Sequence, residues 1–484
     1  MLPQSVRSVH RWLGVLCCPF FLCWFLSGIG MLYFDFPEVT AADRTDHSRA
    51  LDASAIHLSP EAALAAIGPS AQPQEVRLQM FDGRPAYRFR IDGRVRRVWA
   101  DTGGEAVPSR GAALRTASFW TGLPPARATV RTIEVADQWT VEGPIQAQLP
   151  MWTCSWPDGE RVYVSQMSGD VVQYTSSRLR VGAYLGPIPH WLYIAPLRRR
   201  AWLWRAVVIA AAAAGTIGAA LGLMIGCSRF SPTRRYRRAG APSRTPYTGR
   251  KRWHVILGLI FGTGAVTWAF SGLLSMAPER QTPRVRSSLL GPPRLDAFAR
   301  LAPEAALRRL AGLDVRELQL ASFDGKAVYL ADLAGGATRI VTGDGDVRHQ
   351  FDRSAIVALA RRMAAPARLA ATGIIDRYDA YYRDRRGRLP LPVLAVALDD
   401  AERTRLYVDP ATARIAGSYD RSQWPGRWLY HGLHSLDFPW LAAHPAVWLS
   451  IVLVSMIGGA ALSSTAALLA WRVVTRRAST ARPS

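Results

Sequence analysis

The sequence predicts an integral membrane α-helical protein: four transmembrane helices in two parallel repeats, with two α+β domains on the outer side. Three observations carry this expectation: four long apolar runs, a segregation of charge, and an internal duplication. The runs are Leu13–Phe34, Trp202–Gly226, Val255–Met276 and Val447–Trp471. Each is close to the roughly 20 residues a helix needs to cross a bilayer. None contains Asp, Glu or Lys, and Arg205 is the one charge in them.

Charge sets the orientation. The chain has 484 residues and a net charge of +24. All 36 acidic residues fall within 35–178 and 279–437. The N-terminus, the linker around residues 228–252 and the tail carry Arg with no acid. Short basic segments stay on the cytoplasmic side, so both termini and the linker are expected there and the two long segments outside. Basic excess beside membrane helices suits a lipid bilayer with anionic headgroups. No nucleic-acid motif is present, so nucleic acid is not an expected partner.

The expected order along the chain follows. An N-terminal tail and first membrane helix fill 1–34. An outer domain fills 35–200 and a second membrane helix 201–227. The basic loop 228–252, rich in Arg, Pro and Ser, is expected to be disordered. A third membrane helix spans 253–276, a second outer domain 277–444, a fourth helix 445–474 and a cytoplasmic tail 475–484. The first run is too long for a signal-peptide core and no clean A-x-A site follows, so it reads as an uncleaved anchor. Five scattered Cys make no disulfide framework and no C-x-x-C metal pattern.

The duplication is visible at an offset of 244. His10 and His254, Trp24 and Trp268, Ser27 and Ser271, and Gly28 and Gly272 keep it, as do His190 and His434. SPEAAL at 59 returns as APEAAL at 302, and FDGRPAY at 81 as FDGKAVY at 323. Equal orientation of the halves implies parallel repeats about a pseudo-twofold axis along the membrane normal. In the first outer segment, Ser59 and Pro60 open a helix. Tyr87, Phe89 and Ile91 alternate with Arg88 and Arg90 as in a strand, and Asp92-Gly93 marks a hairpin.

Four histidines at repeat-related positions are the candidate site. A histidine within a membrane helix is a functional hypothesis by default. His10 and His254 enter their helices from the cytoplasmic side, and His190 and His434 precede the next helices on the outer side. The twofold axis brings each pair together. Two facing imidazoles are an axial ligand set for a b-type haem, so two haem b groups are expected, one near each face, passing electrons across the membrane. Arg7, Arg11, Arg250 and Arg252 on one side and Arg198–Arg200 on the other are candidate propionate partners. For them, topology and headgroup contact are the plainer explanation. Trp24 and Trp268, about 21 Å along the helix from His10 and His254, either flank the outer haem or form an interfacial belt. His431, three residues before His434, is a substitute ligand or a substrate-side group; its repeat equivalent is Pro187. The segment DRYDAYYRDRRGR (376–388) is a weaker candidate for docking a polar iron chelate.

The pieces SVHRWLG with FLSGIGMLYF, SPEAAL with FDGRPAYRF, RKRWHVILG with FSGLLSM, and RWLYHGLHSLDFP resemble the PepSY-associated transmembrane family of bacterial inner-membrane proteins. The likeness covers nearly the whole chain. It implies haem ligation at His10, His190, His254 and His434, and periplasmic PepSY-type domains at 35–200 and 277–444. It further implies an oxidoreductase of iron uptake that reduces a ferric siderophore or other ferric chelate. No nucleotide-binding motif opens a helix after a strand, so the electron donor is external, a quinol or a cytoplasmic reductase. Two other readings compete. One is a haem-free PepSY membrane protein that regulates or binds a periplasmic protease or partner. The other is a transporter, which the absence of intramembrane acids disfavours.

Overall fold

The computed structural model describes residues 3–68, 72–238, 241–276 and 288–480. The expected start of the second outer segment at 277, and the end of the tail at 481–484, lie outside the described residues. The chain divides into two compact units. One comprises Met1–Phe36, Arg178–Arg280 and Gln423–Ser484; the other comprises Pro37–Ser177 and Gln281–Ser422.

The first unit is built on four long helices: α1 (Gln4–Gly30), α2 (Ala201–Arg229), α3 (Gly249–Leu274) and α4 (Pro445–Thr480). All four are long and apolar enough to cross a membrane, which is consistent with membrane association. Large apolar side chains such as Leu16, Ile217, Ile260 and Val454 stand exposed along them, as on a surface that meets lipid rather than water. α1 and α3 each pack against both α2 and α4. Small residues permit the close approach. A methyl group on Gly218 would meet Leu13, and one on Gly226 would meet Leu259. The helices begin before the apolar runs do. His10 therefore lies inside α1 and His254 inside α3, not at their mouths.

The second unit holds the strands of both halves. The first half gives β1 (Glu75–Phe81), β2 (Arg84–Ile91), β3 (Arg94–Trp99), β4 (Thr129–Ile133), β5 (Met151–Ser155), β6 (Arg161–Ser165) and β7 (Val171–Thr175). The second gives β8 (Val315–Phe323), β9 (Lys326–Leu333), β10 (Thr338–Thr342), β11 (Val347–Arg348), β12 (Arg368–Ile375), β13 (Val393–Asp399), β14 (Arg405–Val408) and β15 (Ile415–Tyr419). Local expectations hold. Ser59 accepts from the Ala62 amide at the start of the helix Pro60–Ala65. Tyr87 and Phe89 are fully buried on β2. Asp92 and Gly93 turn with φ of 48° and 75°, the positive values a tight hairpin needs.

The fold class differs from the expectation. The chain is mixed helix and strand, 46% and 22%, with four sheets among the described residues, and not a helical membrane bundle carrying two α+β domains. The reason is the pairing of β1 with its repeat counterpart β8. They run antiparallel, Val76 opposite Leu320 and Leu78 opposite Leu318. One seven-stranded sheet results, in the order β11-β10-β9-β8-β1-β2-β3. Neither strand-bearing segment is a separate domain. Each also contributes a four-stranded meander, β4 to β7 and β12 to β15. On the shared sheet the symmetry reaches single bonds: Tyr87 donates to the Leu58 carbonyl at 2.7 Å and Tyr329 to the Leu301 carbonyl at 2.5 Å.

The linker is also corrected. Tyr236–Arg238 and Ala241–Ser243 pair as a short antiparallel ribbon where disorder was expected.

Leu318 has no exposed surface and sits at the join of the two halves. Leu318→Ala is expected to cost about 2–5 kcal/mol, read as a lower melting temperature. Because the sheet is common, limited proteolysis of the variant should open both strand-bearing segments together. Cleavage confined to 288–422 would contradict a shared sheet.

Candidate functional site

All four repeat-related histidines lie in the helical unit, and they meet in pairs. The ring centres of His10 and His254 are 6.3 Å apart, with the planes inclined at 35°. Those of His190 and His434 are 6.0 Å apart, near perpendicular at 68°. His190 is carried by the short helix Pro187–Trp191 and His434 by Leu433–Ser435. Each short helix ends on a leucine in left-handed conformation, Leu192 and Leu436.

Each imidazole has one nitrogen already engaged. His10 Nδ1 bonds the Gly218 carbonyl at 2.9 Å. A carbonyl only accepts, so Nδ1 carries the proton. His254 Nδ1 bonds the Thr465 hydroxyl at 3.0 Å, and that hydroxyl donates to the Leu462 carbonyl. His190 Nδ1 meets the Ser27 hydroxyl at 3.2 Å, and Ser27 donates to the Trp24 carbonyl. His434 Nδ1 meets Ser271 at 3.1 Å, and Ser271 donates to the Trp268 carbonyl. A hydroxyl whose proton is committed accepts from the ring. All four histidines therefore present Nε2 with its lone pair free, the arrangement of metal-ligating imidazoles. Burial first, and the facing imidazole second, hold His190 well below the usual imidazole range. Burial does the same for His434. Both rings are neutral at physiological pH, as a ligand must be.

A cavity of 1090 Å³ adjoins the His10–His254 pair. Phe21, Phe25, Cys17 and Ala265 are among its lining residues. Gly14 and Gly258 also line it, each four residues after a histidine and so on the same helical face. A methyl group at Gly14 would meet nothing within 4 Å, and one at Gly258 only Leu462 at 3.8 Å. These glycines leave the space beside the rings open. Arg11, Arg250, Lys251 and Arg472 supply cationic groups to the lining.

The remaining expected residues are placed as follows. Arg11 lies over Trp12 and reaches Ser8. Arg252 is exposed and does not line the cavity, whereas its neighbours Arg250 and Lys251 do. Arg198 is stacked over Tyr193 and Trp204. Trp268 donates its indole N–H to the His434 carbonyl at 2.9 Å. Trp24 packs on Phe20 and Phe21. His434, not His431, faces His190; His431 sits on an exposed turn of a π-helix against Tyr430. In 376–388 the tyrosines turn inward. Tyr382 is buried and donates to the Pro390 carbonyl, while Tyr378 donates to the Leu389 carbonyl. The tyrosines pack around Tyr407, while Asp376, Arg377 and residues 385–388 stay exposed.

Gly14, Gly258 and Thr465 were not among the expected site residues. The first two carry a readable signal, since His-x-x-x-Gly recurs at the same offset. Thr465 does not, because its repeat equivalent is Leu221, which has no hydroxyl. Among the described residues, no group of three or more His, Cys, Asp or Glu is placed to hold a metal ion. Two imidazoles alone suit an ion whose other ligands come from a cofactor. No protein-family model and no curated protein matches the chain.

Gly222 packs against the His10 ring, and a methyl group there would fall 2.6 Å from Cε1. Gly222→Ala should cost about 1–3 kcal/mol through overpacking and turn the His10 ring from its partner. A melting temperature equal to wild type would contradict that contact.

Proposed function

We propose that the chain is a b-type di-haem electron carrier, with His10 and His254 as axial ligands of one haem and His190 and His434 of the other. The observation that carries this reading is the spacing of the pairs. A metal held end-on by two imidazoles places about 2 Å on either side of the ion and about 1 Å more to each ring centre, about 6 Å in all. The ring-centre distances of 6.3 and 6.0 Å agree with it.

The cavity also fits. Its open side at Gly14 and Gly258 accommodates a flat ring, and its cationic residues suit carboxylate side groups. A bound haem supplies reversible one-electron uptake and release. The residues of the chain do the rest. Gly218, Ser27, Ser271 and Thr465 fix the imidazoles as Nδ1–H tautomers. Ser27, which holds His190, lies seventeen residues beyond His10 on α1, about 25 Å of helical rise. Phe21 stacks on Phe25 at 6.0 Å, and Phe25 meets Trp268 at 5.8 Å. Aromatic contact thus leads from the cavity lining to the His434 backbone.

The basic segments support a multi-pass chain with both termini in the cytoplasm, and the sequence resemblance supports a bacterial inner membrane. A quinol or a cytoplasmic reductase delivers electrons to the His10–His254 side. The acceptor is a ferric siderophore or another ferric chelate in the periplasm, whose iron is held less tightly by oxygen ligands once reduced. The sequence resemblance to the PepSY-associated transmembrane family supports this choice of substrate.

Haem counted per chain in single variants tests the pairing. His10→Ala and His254→Ala should each remove one haem, the same one by reduction potential; His190→Ala and His434→Ala should each remove the other. Gly258→Phe should empty only the first site. Loss in crossed pairs would contradict the assignment.

A further inference from the structure

The strand-bearing unit has its own cleft of 350 Å³, astride the join of β1 and β8. Nine arginines line it against five carboxylates. The floor is internally paired. Arg77, opposite Gln319 where the two halves meet, bridges Glu75 and Glu317. Arg97 and Arg88 share Asp170. The rim is not neutralised in this way. Arg44 donates to the Val39 carbonyl, Arg49 lies over the Phe119 ring, and Arg414 donates to the Gln319 side chain at 2.6 Å. These three partners are all neutral, so the cleft keeps an excess of positive charge.

Two further facts point to a ligand. Arg97 is 3% exposed, yet its Nε is buried with no hydrogen-bond partner. Arg316, also in the lining, has a buried Nε in the same condition. A buried donor left unpaired destabilises the protein, so the chain itself does not fully satisfy these guanidinium groups. Guanidinium forks match planar carboxylates two bonds at a time. The volume is at the small end of ligand pockets, which run about 300–1,000 Å³.

We propose that this cleft is a binding site for a small anion bearing several carboxylates, free or wrapped around a ferric ion. The site lies in the strand-bearing unit, and its occupancy does not depend on haem.

The test is calorimetric titration of the full chain in detergent with trisodium citrate and, separately, with ferric citrate. At least one should bind saturably, and more weakly as salt rises. The substitutions Arg44→Gln, Arg49→Gln and Arg414→Gln, combined, should weaken binding by about tenfold or more while the melting temperature stays at the wild-type value. Should the triple variant melt early, Arg44→Gln with Arg49→Gln, both on exposed residues, serves in its place. Binding of citrate alone identifies the free anion as ligand; binding of only the ferric form identifies the chelate. Absence of binding by both, or equal affinity in the folded variant, would overturn the proposal.

Discussion

An imidazole has two ring nitrogens, and in this protein each of four histidines has one of them tied down. The Nδ1–H groups donate to the Gly218 carbonyl and to the hydroxyls of Thr465, Ser27 and Ser271. That choice leaves four lone pairs in two facing couples. The helical unit is arranged around this constraint. His10 is bonded to α2 and His254 to α4, while α1 and α3 provide the serines that hold His190 and His434. Every long helix therefore either carries one of these histidines or orients one. Small residues at the crossings, Gly218 and Gly222 among them, bring the backbones close enough for these bonds to form.

The duplication works differently in the two units. In the helical unit it produces two equivalent pairs, because a twofold axis sets each histidine against its own copy. In the strand-bearing unit it joins β1 to β8, its own counterpart, with Val76 opposite Leu320 and Leu78 opposite Leu318. Antiparallel pairing of a strand with its copy is self-complementary, as in an isologous dimer. It also covers two edges that would otherwise expose unpaired amides. Arg77 and Gln319 meet at the centre of that join, where Arg77 bridges the repeat-related Glu75 and Glu317.

Much of this was legible in the sequence, for identifiable reasons. Hydropathy runs report helices directly, and the offset of 244 reports which histidines are equivalent. Alternation on β2 and the Asp92-Gly93 turn are local signals, and they held. The partner of β1 was not legible. A strand pattern states which face is buried and says nothing of which edge is joined, so two self-contained domains were expected where one sheet is shared. Helical phase explains the arginines. Arg250 and Lys251 stand four and three residues before His254, on its face of α3, whereas Arg252, two before, points elsewhere. Thr465 was invisible because the second half orients His254 with a side chain while the first half orients His10 with a backbone carbonyl.

The central claim is that the free Nε2 atoms hold haem iron. An absorption spectrum of the purified chain, oxidised and then dithionite-reduced, with haem counted per chain, tests it most directly. Sharp reduced bands of a low-spin b-type cytochrome at two haems per chain are expected. A haem-free spectrum from cells well supplied with haem would contradict the account.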